Sequence, residues 1–256
     1  MRLLLTNDDG IGSPGIQLLA AGLREAGHRV FVMAPTGNRS AISHGITFHN
    51  GPLRIAEIDT DTWACEGTPV DCVVAAFQGG VPDIATAEHP LDAVISGINR
   101  GANLGTDIIF SGTAAAARQG AMWNMPSLAL SLAEGLVWHW NMAVIFAVER
   151  LEEMLSYWKP DSFVNVNIPN QQELPSSLVH AFPSVKYYND RMDVFHAPDG
   201  CRYFFAKPWG DSIFVGTSSK PEQGSDWSVV ADSNASISEI FIHPVLLESV
   251  KGRGDI

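Results

Sequence analysis

The amino-acid sequence predicts an α/β fold: a doubly wound, Rossmann-like, mostly parallel sheet with a C-terminal β-hairpin extension. Three observations lead there. Short apolar runs alternate with helically spaced segments through residues 1–170. Several of those runs end in loops rich in Gly, Asn or Asp, as strands do when their carboxyl ends carry polar connections. Past residue 178 the alternation stops and closely spaced turns take over. The expected division is a Rossmann-like catalytic core over 1–178 and a β-rich extension over 179–256, the latter suited to contacts between subunits.

The elements follow in order. Arg2 to Thr6 is a short apolar strand running into Asn7-Asp8-Asp9-Gly10. Pro14 to Ala26 is a helix, with Ile16, Leu19, Ala20 and Leu23 on one face, Ser13 as cap, Pro14 at the first helical position and Gly27 as the stop. Arg29 to Ala34 is the second strand, which completes a β-loop-α-β opening. Ile46 to Ile58 reads as strands around a turn at Asn50-Gly51-Pro52. Thr68 and Pro69 open a helix through Phe77. Leu91 to Ser96 is a core strand, Thr113 to Trp123 an alanine-rich helix, Ser127 to Ser131 a strand, Asn141 to Trp158 a helix and Phe163 to Asn167 a strand. In the last third, Val179 to Phe205 and Ser212 to Thr217 read as hairpin strands, with turns at Pro198-Asp199-Gly200 and Trp209-Gly210-Asp211. Ser225 to Ala231 is a short helix and Ser236 to Ile242 a final strand.

Composition narrows the function classes. The chain has 256 residues, of which 46% are hydrophobic and 17% charged, which excludes wholesale disorder. Its 16 basic and 28 acidic residues give a formal charge of −12, which argues against a nucleic-acid polymer as partner because that needs a basic face. A small anion is still compatible, since a metal or a helix end supplies local positive charge. Cys65, Cys72 and Cys201 form no C-x-x-C pair and are expected to be reduced thiols. The N-terminus lacks the pattern of a signal peptide. The apolar stretch from Leu128 to Val148 is broken by Ser131, Glu134, Gly135, His139 and Asn141, so no membrane span is expected and the reading is cytoplasmic. Trp138, Trp140 and Trp158 read as packing residues, His139 and His243 as structural or surface histidines, and Glu222, Asp226 and Asp232 as a solvated face.

Three loops at strand ends carry candidate chemistry. Asp8 and Asp9 suit a hard divalent cation, or alternatively form a capping or turn pair. In the loop from Thr36 to Gly45, Ser40 has a hydroxyl that can complete a metal shell, and Arg39 or His44 can meet an anion; each also serves as an ordinary loop hydrogen bonder. Asn99 follows a core strand and can share an opening with the two aspartates. Ser111, Gly112 and Thr113 lead into a helix whose free N–H groups suit phosphate, although a Ser or Thr there is also a plain helix cap. No nucleophile elbow and no P-loop occur, and the adjacent aspartates lack the spacer of an aspartyl-nucleophile phosphatase.

Taken together, Thr6 to Gly10, Ala34-Pro35 with Arg39-Ser40-Ala41, Gly67 to Cys72, Ser96 to Asn103 and Ser111-Gly112-Thr113 resemble, in the same order, the motifs of the SurE (survival protein E) family. The resemblance implies a metal-dependent 5′/3′-nucleotidase. Asp8, Asp9, Ser40 and Asn99 would bind one Mg²⁺ or Mn²⁺ per subunit; a carboxylate beside such an ion is close enough to accept a water proton, so Asp8 or Asp9 is the expected general base, with Asn99 acting between metal and substrate. Ser40, Asn99, Ser111, Gly112 and Thr113 would face the phosphate. It also implies a nucleoside monophosphate as substrate, short polyphosphate as a further one, and a homodimer or homotetramer. Phe110 stands where the family usually has Tyr, and the final strand departs from the family's usual run. The alternative is a non-catalytic nucleotide-binding or assembly protein on the same fold.

Overall fold

The structure, a computed structural model, describes residues 1–79, 81, 84, 88–186, 192–206 and 221–244. Strand β1 (Arg2–Thr6) leads through a polar loop to α1 (Pro14–Glu25) and β2 (Arg29–Pro35). Strands β3 (Ile55–Asp59) and β4 (Thr62–Cys65) precede α2 (Pro69–Gln78). Then come β5 (Ala93–Arg100), the single turn α3 (Asp107–Phe110), α4 (Gly112–Met122), β6 (Ser127–Leu132), α5 (Trp140–Glu149), α6 (Leu151–Ser156) and β7 (Ser162–Ile168). The C-terminal third holds β8 (Leu178–His180), β9 (Met192–His196), β10 (Arg202–Ala206), α7 (Asp226–Ala231) and β11 (Ala235–Phe241).

Nine strands form one sheet in the order β3-β4-β2-β1-β5-β6-β7-β11-β8. The six from β4 to β7 are mutually parallel, and the antiparallel pairings are β3 with β4 and β11 with β7. From β1 the chain winds one way through β2 and β4 and the other way through β5, β6 and β7. The switch point therefore lies between β1 and β5, where connections leave in opposite directions and open a crevice. Both faces are covered, as the alternation in β1 shows. Leu3 and Leu5 pack with Ile16, Leu19 and Leu23 of α1 and Phe146 of α5; Leu4 packs on the other side with Cys72 and Val73 of α2 and Ala116 of α4. A parallel sheet buried on both faces needs near-continuous apolar strands, and β1 and β2 supply them.

Several expectations required correction. Ile46 to Ile58 does not form two strands. Only β3 forms, because Asp71 at the start of α2 accepts the Thr47 N–H through both carboxylate oxygens and its hydroxyl as well, and Phe48–Asn50 coils into a 3-10 turn. Strand β4 has no counterpart in the sequence pattern, because four residues are too few to show a period. The helix expected over Asn141 to Trp158 is two helices, broken at Arg150, whose φ of −105° and ψ of 9° leave the helical region. Asp226 is no solvated residue: it is fully buried and accepts main-chain N–H bonds from Gly105, Ser184 and Trp227. In the C-terminal segment, β11 and β8 extend the large sheet, while β9 and β10 pair as a separate antiparallel hairpin around the expected Pro198-Asp199-Gly200 turn. The strand over Ser212 to Thr217 and the turn at Trp209-Gly210-Asp211 lie outside the described residues. Among the described residues no helix is long and apolar enough to cross a membrane.

The α2 start is a capping box in which the Thr68 hydroxyl accepts from the Asp71 N–H and the Asp71 carboxylate accepts from the Thr68 N–H. The same hydroxyl donates to the Gly45 carbonyl at 2.8 Å, which ties down the loop that carries Ser40. Thr68→Ala removes both bonds from a buried position and should destabilise the protein by about 2 kcal/mol in urea unfolding. No loss would mean that the cap is redundant.

Candidate active site at the switch point

The β1–α1 loop is shaped by Asn7. Its buried amide nitrogen donates to the Gly10 carbonyl at 3.0 Å and to the Ser13 hydroxyl at 2.8 Å. Ser13 has the extended backbone of a helix cap, but its hydroxyl serves this loop staple and caps nothing. The staple turns the Asp8 side chain inward, where only 4% of the residue is exposed. The Asp8 carbonyl accepts from the Arg39 N–H at 2.7 Å, which docks the loop from Thr36 to Gly45 against β1 and brings Ser40 over the crevice. Asp9 is partly buried, and one oxygen of its carboxylate accepts from the Arg100 N–H at 2.8 Å at the end of β5.

Strand β5 runs on past Ser96 to Arg100, with a shift of register against β6 between Ser96 and Asn99. Asn99 is thus a strand residue. Its amide nitrogen donates to the Gly101 carbonyl at 2.8 Å, which leaves its oxygen as the group available to the crevice. Helix α4 starts directly beneath Asp8. Ser111 caps it by accepting from the Ala114 N–H at 3.0 Å, so the cap reading of this hydroxyl holds. The Thr113 hydroxyl donates to the Asp8 carboxylate at 2.5 Å. Gly112 is glycine for a steric reason: a Cβ there would sit 2.8 Å from the Asp8 Cβ and 2.9 Å from its Oδ2.

These loops enclose a cavity of about 510 Å³, in the range of small-molecule sites. Asp8, Ser40, Asn99 and Ser111 line it, with Ala41 and Phe110 on the rim side. Of the other anticipated residues, Asp9 braces the wall through Arg100, and Gly112 and Thr113 back onto Asp8. Arg39 and His44 are engaged elsewhere. The Arg39 guanidinium donates to the Gly67 and Glu66 carbonyls, and His44 pairs with Gln119 at 3.0 Å.

The electrostatics are those of an unneutralised acidic site. Burial pushes the Asp8 carboxyl up from 3.8 to about 6; the Asp9 charge adds to the rise and the Thr113 hydrogen bonds oppose it. Burial also raises Asp9, against the Arg100 N–H and charge. Among the described residues no lysine or arginine forms an ion pair with either aspartate. Nor do three His, Cys, Asp or Glu side chains gather as a metal cluster among them. The donors here are two carboxylates, a hydroxyl and an amide oxygen, all hard, and a hard divalent cation fits both this set and the buried negative charge.

The cavity also uses residues that the motifs did not single out for it: Arg100, Asn103, Asp107 and Glu134. Asn103 is held by a buried polar network. Its N–H donates to Asn167 and its amide to Ser131, and its carbonyl accepts from Asn165 and Asn167. The signal was present in Asn165 and Asn167, polar residues on a strand buried along its whole length, because buried amides need partners.

Fold and site together define a class: a doubly wound α/β protein with an oxygen-lined cavity at the switch point of its sheet. The chain belongs to the SurE family, whose model, described as survival protein SurE, matches residues 3–186. It is 41% identical over 212 residues to the 5′-nucleotidase SurE of Synechococcus elongatus, covering 80% of each chain. It is 36% identical over 249 residues to the 5′-nucleotidase SurE of Xanthomonas euvesicatoria pv. vesicatoria, covering 94% of this chain and 90% of that one. The crystal structure of the SurE protein from Aquifex aeolicus superposes with a TM-score of 0.79 at 31% identity over 99% of both chains.

Proposed function

We propose that the protein is a divalent-metal-dependent nucleotidase that hydrolyses nucleoside 5′- and 3′-monophosphates to nucleoside and phosphate, with short polyphosphate as a further substrate. The observation that carries this is the buried Asp8 carboxylate packed against the start of α4, facing a cavity of nucleotide size. Family membership supports it, since relatives bear the name 5′-nucleotidase.

Asp8, Asp9, Ser40 and Asn99 are the residues to hold Mg²⁺ or Mn²⁺. When bound, such an ion neutralises charge on the phosphoryl group and acidifies water. The chain's own groups do the rest. The first turn of α4 directs its positive dipole end toward phosphate oxygens, its Ala114 N–H being taken by Ser111 and its Thr113 N–H by Asp8. The Ser111 cap holds that turn in place. The Thr113 hydroxyl fixes the Asp8 carboxylate, so little reorganisation is needed as charge develops. Asp8 or Asp9 accepts the proton of the attacking water. The proposed setting is cytoplasmic, and the assembly a homodimer or homotetramer built with the C-terminal segment.

The test is phosphate release from a panel of 5′- and 3′-nucleoside monophosphates with Mg²⁺, Mn²⁺ or EDTA. Release that EDTA abolishes and Mn²⁺ or Mg²⁺ restores is expected. Nucleotide binding without release by folded protein would replace this reading with the non-catalytic one.

A further inference from the structure

The cavity presents a charge problem. A phosphomonoester is an anion, yet among the described residues the ionisable side chains in the wall are Asp8, Asp107, Glu134 and one cation, Arg100, whose guanidinium stacks 5.0 Å above the Trp138 ring. Asp8 belongs to the proposed metal site. Glu134 is exposed, so water screens it. Asp107 has neither remedy: its side chain is only 17% exposed and one carboxylate oxygen is buried without a hydrogen-bond partner.

Its other oxygen meets Lys186, whose ammonium lies 2.5 Å away and is 11% exposed. This lysine comes from the C-terminal side of the chain, 79 residues along, and is firmly placed. Its main-chain N–H donates to the Thr106 hydroxyl at 2.9 Å, beside Asp107. Its ammonium also lies 4.9 Å above the Trp227 ring. The buried Asp226 carboxylate accepts from both Ser184 and Gly105, at 2.8 and 2.7 Å, and so clamps the lysine's segment onto the cavity loop.

We propose that Lys186 is a positioning residue for substrate: it neutralises Asp107 in the cavity wall, and without it an anionic phosphoester is repelled. The inference rests on the nucleotidase reading and extends it to a residue far from the site motifs. A poorly screened like charge facing a bound anion weakens binding, whereas loss of fold lowers the amount of active enzyme and leaves KM alone.

The experiment measures KM and kcat for adenosine 5′-monophosphate with Mn²⁺, and the inhibition constant of inorganic phosphate. Lys186→Met is expected to raise KM on the order of tenfold, with kcat within about threefold and the phosphate inhibition constant rising in parallel. Adding Asp107→Asn to it returns KM to within about threefold of wild type, and Lys186→Arg keeps the wild-type KM. Should Lys186→Met fail to fold, Asp107→Asn alone decides: it leaves the lysine's charge unpaired beside the cavity, so KM falls severalfold. An unchanged KM in Lys186→Met overturns the proposal. So does a raised KM that Asp107→Asn does not correct, or a KM that fails to fall in Asp107→Asn alone. Folded wild-type protein that releases no phosphate overturns the nucleotidase reading and this inference together.

Discussion

Asp8→Asn is expected to lower phosphate release by on the order of 10³-fold or more while making the metal-free protein more stable at neutral pH. The first effect follows from removing a charged ligand and a candidate base at once. The second follows from linkage. Burial lifts the Asp8 carboxyl from 3.8 to about 6, so the folded protein binds this proton more tightly than the unfolded chain. Stability contributed by the group is therefore present at low pH, declines as pH rises between about 4 and 6, and stays lost above that. A rise of this size corresponds to about 3 kcal/mol at pH 8. Asparagine keeps an oxygen to accept the Thr113 hydroxyl and carries no charge, so it recovers much of that loss. Urea unfolding in EDTA should show Asp8→Asn more stable than wild type at pH 8, with the gap closing near pH 4. Mn²⁺ should stabilise the wild type far more than the variant. A variant less stable than wild type at every pH would mean that the charged carboxylate is compensated by the fold itself, and that no cation is needed to offset it.

The same balance explains which parts of the site were legible in the sequence. Asp8, Ser40 and Ser111 stand in loops and Asn99 at the end of β5, and a parallel sheet delivers strand ends to one edge, so their convergence on one cavity follows from the alternation of elements. What the pattern does not encode is the direction of each side chain. Ser13 and Ser111 look alike before a helix, yet Asn7 claims one hydroxyl while the other caps α4. Arg39 looks like an anion contact but is turned away by the Glu66 and Gly67 carbonyls. Asp107 and Lys186 meet through a contact between segments distant in the chain, which no local periodicity carries.

The fold class was legible in the alternation of elements, and the single elements that were not escaped for the same kind of reason. Strands β1 and β2 lie inside the sheet and are apolar apart from their end residues, so composition alone marks them. At the edge, the residues before β3 have fewer apolar neighbours to satisfy, and a single carboxylate, Asp71, redirects Thr47 and its successors. Asp226 looks like any acidic residue near a chain end. Only the main-chain N–H groups of two other segments make its burial favourable.

Gly15→Ala is expected to have the largest effect on stability, though it exchanges one small residue for another. Gly15 lies in the first turn of α1, where that helix crosses β5. A Cβ there would stand 2.0 Å from the Ile98 carbonyl oxygen and 3.1 Å from the Trp140 ring. Alanine normally favours a helix over glycine by about 1 kcal/mol. Here that gain is outweighed, because relief requires α1 to move off the sheet, and α1 also buries Ile16, Leu19 and Leu23 in the same core. A loss of about 3 kcal/mol or more is expected in urea unfolding. The displacement also reaches the site, since Ile98 precedes Asn99 and is itself fully buried with no room to yield. The folded fraction should therefore show a reduced kcat in addition to reduced stability. Gly12→Ala is the control: a Cβ at Gly12 meets nothing within 4 Å, and both stability and kcat should stay at wild-type values. Equal stability of Gly15→Ala and wild type would show that α1 can shift on β5 without penalty, and that Asn99 is held in place by β6 and the Gly101 carbonyl alone.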